Sequence, residues 1–276
     1  MTAAPFWSAR TDGSVLTLSL SNPPRNMLSF AVLAELESLL GRVSDDDAIN
    51  VVVLASRQPG YFAAHADLDD IAALGRGPCP DARAWPRTMR RLDSLPQPVV
   101  AAIDGQAWGG GLELALACTL RVCSPRAHFA FPETGMGIIP GAGGTQRLAR
   151  LLGPGRAAEL ILSGRVFDAR EAATLGVVEA VLAGEPFLDS VLAWTAGMAG
   201  RPRAALVAGK RAILGGLGVS LEEGLHLEGD LFSALCGDPA TAPLVDAARS
   251  LYAHASANES VRLDAEDLAS RAVRPG

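Results

Sequence analysis

The chain has 276 residues, of which 49% are hydrophobic, and carries a formal net charge of −6. That length allows one large domain, or a core with a small appendage, and a sizeable buried interior. The acidic balance with scattered basic residues argues against nucleic acid as the main partner, and no apolar run approaches the roughly 20 residues a membrane span needs.

The first ten residues show no basic stretch followed by an apolar one, so no secretory signal and a cytoplasmic location are expected. Val15–Leu20 alternates and reads as a strand. Asn22-Pro23-Pro24 ends it, and Ser29 is placed to cap a helix with an apolar face through Leu33, Leu36 and Leu40. Val51–Ala55 is a β-branched run that reads as a buried strand, followed by a loop at Pro59-Gly60-Tyr61. Asp67 is placed to cap a helix near Leu68, Ile71 and Leu74. Gly75–Pro86 is rich in Gly, Pro and Ala and is expected to be mobile, with another helix before Pro96. Val99–Ile103 is again a buried strand, Leu112–Ala117 a helix, and Arg121–Cys123 and His128–Phe131 short strands.

Strands alternating with helices predict an α/β architecture. After about Asp189 the pattern turns helical, with breaks at Pro202 and Pro239. Residues 1–198 are therefore read as an α/β core and residues 199–276 as a helical C-terminal region, its tail from Ala255 polar and frayed. Cys79, Cys118, Cys123 and Cys236 show no paired CxxC spacing and read as reduced thiols, with no metal site implied.

The chemistry concentrates between Pro98 and Arg147. Gly109-Gly110-Gly111 follows a strand and opens a helix, where first-turn N–H groups have no intrahelical partner and no side chain blocks approach. Glu113 falls in that first turn, where a carboxylate is electrostatically favoured. Taken alone, the segment fits tight helix packing with a capping glutamate equally well. Glu133 lies twenty residues further on, after Pro132. Alone it reads as a solvated loop carboxylate. Together the two can hold one water and move its protons, beside backbone donors suited to a developing oxyanion. Gly141–Thr145 is weak support for phosphate binding, and the GxxxxGK[ST], HExxH and GxSxG patterns are absent.

These segments resemble the crotonase superfamily, and among its members the enoyl-CoA hydratases. Asn22–Ser29 is similar to that family's early N–P…N–A–L segment, and Phe62-Ala63-Ala64-His65-Ala66-Asp67-Leu68 to its F-x-A-G-A-D-L. Pro98–Gly111, Phe131–Leu148 and Ser163–Val178 continue the likeness, which fades after about residue 235. The resemblance implies a spiral of ββα repeats with a C-terminal helical region, assembly as a homotrimer or homohexamer, and a coenzyme A thioester substrate with no further cofactor. It implies Glu113 and Glu133 as the catalytic pair, and Ala66 and Gly110 as backbone donors of an oxyanion hole. Ala64, Asp67, Leu68 and Gly109 would line the substrate. The expected reaction is hydration of a 2-trans-enoyl-CoA. The alternatives are another crotonase reaction, such as isomerisation or thioester hydrolysis, and a non-catalytic binding protein of the same fold. His65 departs from the family pattern, standing where glycine is usual. Its imidazole is expected to point aside while Ala66 keeps its N–H in place, and Trp108 is expected to pack.

Overall fold

A large sheet, opened by an antiparallel pair, and a small one grow together, successive stretches of chain adding a strand to each. The computed structural model describes residues 5–255 and 260–272, which divide into two compact units, Met1–Thr195 and Ala196–Gly276. In the first unit the large sheet takes β1 (Trp7–Asp12), β2 (Val15–Leu20), β3 (Val51–Ser56), β5 (Val99–Ile103), β7 (Leu120–Cys123) and β10 (Ala180–Val181), in that order. The small sheet takes β4 (Gly60–Ala63), β6 (Gly105–Trp108), β8 (His128–Ala130) and β9 (Phe167–Asp168).

The order along the chain explains this. β3 and β4 are followed by helix α2 (Leu68–Leu74), then by α3 (Ala84–Ser94). β5 and β6 are followed by α4 (Gly110–Ala117), and β7 and β8, after a short 3-10 turn, by α5 (Gly144–Leu152). This is the expected repetition of ββα turns. β3, β5 and β7 pair in parallel, as do β4, β6 and β8. Parallel strands require a crossover between them, and the helices supply it. The central strands are buried on both faces, which is why they read as unbroken Val/Ile/Leu/Ala runs.

The repeat brings the C-terminal ends of β4, β6 and β8 to one edge, with Ala63 opposite Ala107 and Trp108 opposite Ala130. Adjacent strands lie about 5 Å apart. Residues that leave these strands, 64–67, 109–113 and 131–133, are thereby gathered from three distant parts of the sequence.

Local signals account for the helix starts. The hydroxyl of Ser29 accepts from the Val32 N–H at the start of α1 (Phe30–Ser44), and the Asp67 carboxylate accepts from Asp69 and Asp70 N–H at the start of α2. The stretch expected to be mobile, Gly75–Pro86, instead contains a 3-10 turn at Pro80–Arg83 and the first residues of α3. Trp85 anchors it, because its indole is buried in the core and cannot be released without exposing that surface.

In the second unit α9 (Arg203–Gly216) packs on α10 (Leu221–Cys236), and α11 (Thr241–His254) on α12 (Ala265–Ala272). Ser220 and Glu223 form a reciprocal cap at the start of α10. The tail expected to fray carries α12, while residues 256–259 and 273–276 lie outside the described residues. Among the described residues, no helix is long and apolar enough to cross a membrane.

Candidate active site

The site is assembled from those three strand exits. The first, residues 64–67, is stapled along Arg25–Leu28. Ala64 N–H donates to the Arg25 carbonyl at 3.1 Å, Leu28 N–H to the His65 carbonyl at 2.8 Å, and Asp67 N–H to the Leu28 carbonyl at 2.9 Å. Asn26 is in the left-handed region (φ 53°), a conformation its short polar side chain tolerates. Its amide donates to the Phe62 carbonyl at 3.2 Å. Ala64, His65 and Asp67 are thus tied to that segment, while the backbone hydrogen bonds found among the described residues give the Ala66 N–H no acceptor.

The second exit is Gly109, which caps α4 with φ 48° and ψ −120°, a backbone conformation that glycine reaches without strain. Gly110 then opens α4, where its N–H has no intrahelical partner. A Cβ built on Gly110 would stand 3.0 Å from the Ala66 nitrogen, so the two amides border one small space. It would also meet the Trp85 ring at 2.5 Å, which identifies the wall of that space.

Glu113 lies one turn into α4 and is 3% exposed. Its Oε1 accepts from both Ala142 and Gly144 N–H, each at 2.7 Å. The glycine-rich loop before α5, read from sequence as a faint phosphate signal, is therefore a cradle for a carboxylate. Arg147 steadies this loop by donating to the Ala142 carbonyl at 3.0 Å and pairing with Asp93. Burial pushes the Glu113 carboxyl up to about 7. The two N–H bonds and Arg147 work against that rise, and the nearby charge of Glu133 adds to it.

Glu133 sits in the 3-10 turn Pro132–Met136 and is also 3% exposed, not a solvated loop carboxylate. Beside it stands His65. The imidazole does not point aside as expected. It is 9% exposed, with Nε2 3.4 Å from Oε1 of Glu133. The physical reason is Gly109, since a Cβ there would lie 2.3 Å from Nε2 and 2.4 Å from Oε1. With no side chain between them, the ring and the carboxyl meet.

Ala66, Gly109, Gly110, Glu113 and Glu133 are thus gathered at one place. The others predicted for the site are placed differently. Asp67 spends its carboxylate on the start of α2, Leu68 is half exposed as the first residue of that helix, and Ala64 is buried with its carbonyl accepting from Gln106 at 3.3 Å. Trp108 donates from its indole nitrogen to His128 Nδ1 at 3.1 Å. Sequence reasoning missed Ala142, Gly144, Trp85 and Arg147. Only the glycine run at 141–144 hinted at any of them. Among the described residues, no three His, Cys, Asp or Glu side chains cluster as a metal site.

Two buried carboxylates thus stand beside two backbone N–H groups, those of Ala66 and Gly110, that have no acceptor among the backbone hydrogen bonds of the described residues. Comparison with known proteins agrees on the family. The family model for enoyl-CoA hydratase/isomerase matches residues 10–240, and the chain belongs to that family. It is 38% identical to the 2,3-dehydroadipyl-CoA hydratase of Escherichia coli over 80% of this chain and 86% of that protein. It is 34% identical to the crotonyl-CoA hydratase of Syntrophomonas wolfei over 76% of this chain and 81% of that one. A crystal structure of an enoyl-CoA hydratase from Bacillus anthracis superposes with a TM-score of 0.84 at 34% identity, covering 89% of this chain and 96% of that one.

Proposed function

We propose that this protein hydrates a 2-trans-enoyl-CoA to the 3-hydroxyacyl-CoA. The observation that carries the reading is the placement of Glu113 and Glu133, both buried, beside the space bordered by the Ala66 and Gly110 amides. In this reading the thioester carbonyl oxygen enters that space and accepts both N–H groups, which withdraws electrons from the conjugated double bond. Water held between the carboxyls adds its oxygen to C3, and its proton passes to the ionised Glu113. The π electrons move onto the thioester as an enolate, stabilised by the two amides and by the positive end of α4. Glu133 then gives its proton to C2, the enolate collapses, and the carbonyl re-forms.

The cradle around Glu113 suits this role. Two N–H groups hold one oxygen of the carboxylate, so the other is left to face water, and burial keeps its basicity near neutrality. The mechanism consumes only water and the thioester, so no redox cofactor or metal is required; coenzyme A belongs to the substrate. The relatives named as hydratases support the same reaction class for this chain.

The test is turnover of a 2-trans-enoyl-CoA by purified Glu113→Gln and Glu133→Gln. Each is expected to lose ~10²–10⁴ in rate with the fold intact, the range for a positioned acid or base. Near-normal hydration by either variant would overturn the two-glutamate mechanism.

A further inference from the structure

His65 and Glu133 face each other across a gap that needs a proton. Nδ1 of His65 lies 3.2 Å from the Ala66 carbonyl oxygen, which can only accept, so Nδ1 carries a hydrogen. A neutral ring then presents a lone pair at Nε2. The Glu133 oxygen 3.4 Å away also presents lone pairs when ionised. Both side chains are almost completely buried, and neither Nε2 of His65 nor Oε2 of Glu133 has another hydrogen-bond partner. Two bare acceptors in contact away from water repel, and an unsatisfied buried polar group is costly. One proton shared between Nε2 and Oε1 removes the repulsion and satisfies Nε2, either as imidazolium against carboxylate or as neutral ring against carboxylic acid.

We propose that His65 is a positioning residue for Glu133, the two side chains holding one proton in common so that it stays beside C2 of the bound thioester. This rests on the hydratase reading above. In the forward step the Glu133 O–H bond breaks and the C2–H bond forms, leaving carboxylate beside neutral imidazole. The proton that Glu113 took from water is released to solvent, and the pair takes one back, so each cycle adds one water and nothing else. The facing lone pairs left after transfer favour that recapture.

The charged groups bearing on the imidazole are Glu133, from the 3-10 turn, and Glu113, from α4. Burial lowers the proton affinity of the ring, while the contact with Glu133, the Ala66 carbonyl and the charge of Glu113 raise it, with a net upward result. The raised proton affinity of the ring holds the shared proton in place to higher pH, so removing the ring should bring its loss to lower pH.

The first test needs no turnover. The His65 ring is titrated by nitrogen NMR in the wild type and in Glu133→Gln, with His65→Asn assigning the resonance. Its midpoint is expected to fall by about one pH unit in Glu133→Gln, the lower end of what a close opposite charge confers. An unchanged midpoint overturns the proposal. The second test is the pH profile of kcat/KM for His65→Asn, which retains a buried donor but cannot titrate. The basic limb is expected to move to lower pH while KM stays near wild type, and a profile superimposable on wild type overturns the proposal. Failure of the underlying reading is seen separately, as full hydration by Glu133→Gln.

Discussion

Trp85 occupies the space that a side chain on Gly110 would need, its ring lying 2.5 Å from where the Cβ would stand. The indole thus makes glycine obligatory at the first position of α4. Gly110→Ala is expected to lose ~10²-fold or more in hydration, comparable with removal of an oxyanion donor. The double variant Trp85→Ala/Gly110→Ala relieves the clash but leaves the new methyl group 3.0 Å from the Ala66 amide. Steady-state kinetics should show its activity still low, and full recovery would mean that the thioester oxygen does not enter there.

In the proposed mechanism Glu113 sets catalysis against stability. Its carboxyl is raised from 4.5 to about 7 in the fold, chiefly by burial. A group raised in this way favours the folded state while protonated, and the benefit is lost as pH rises through that window. Glu113→Gln keeps an oxygen for the Ala142 and Gly144 N–H groups but has no charge to bury. The variant should match the wild type in urea unfolding near pH 4 and exceed it above pH 7, by on the order of 3 kcal/mol at most. Equal stabilities at high pH would show that the buried charge is better compensated than its surroundings imply.

In the proposed mechanism the same carboxyl sets the acidic limb of activity. If ionised Glu113 takes the proton from water, kcat/KM should rise with pH through about 7. Arg147 favours the ionised form and holds the loop that contributes both N–H groups. Arg147→Gln should move this limb to higher pH and lower kcat by ~10-fold, with Arg147→Lys a poor substitute because it lacks the planar fork. An acidic limb that stays in place in Arg147→Gln would separate Arg147 from Glu113.

Gly109→Ala should be far more damaging than a surface change. It forces a methyl group into a φ of 48° and drives it between His65 and Glu133. Gly155→Ala is the contrast. It lies in helix α6 (Pro154–Ser163) with open space where its Cβ would go, so it should stabilise by about 0.5 kcal/mol and leave hydration unchanged. Thermal unfolding and initial rates on both variants check the pair, and a harmless Gly109→Ala would contradict the geometry of the site.

What the sequence revealed was what local chemistry determines. β2 is visible from its alternation, and β3 and β5 because buried parallel strands need apolar side chains on both faces. Ser29 and Asp67 are visible because a helix start needs an acceptor. β1 escaped because it is an exposed antiparallel edge, with Trp7 its only buried residue. β6 escaped because Gly105-Gln106-Ala107-Trp108 has little strand character and is held by pairing on both sides. Glu113 and Glu133 were found through their glycine-rich surroundings and a family likeness, whereas the partners of Glu113 lie 29 and 31 residues away and depend on the wound chain. His65 was visible as a departure, but its direction depends on the missing side chain at Gly109.

The carboxylate of Glu113 is gripped by peptide groups rather than by side chains, and the two grips differ in their tolerance of change. At Gly144 an added carbon would crowd Phe131, Pro140 and Glu113 itself within 3.0 Å. At Ala142 only the N–H is required, so any residue small enough for its buried position, proline excepted, preserves the bond. A change of side chain at position 142 therefore need not disturb this contact. A protein engineer can vary the side chain there among small residues while the anchoring of the carboxylate stays fixed.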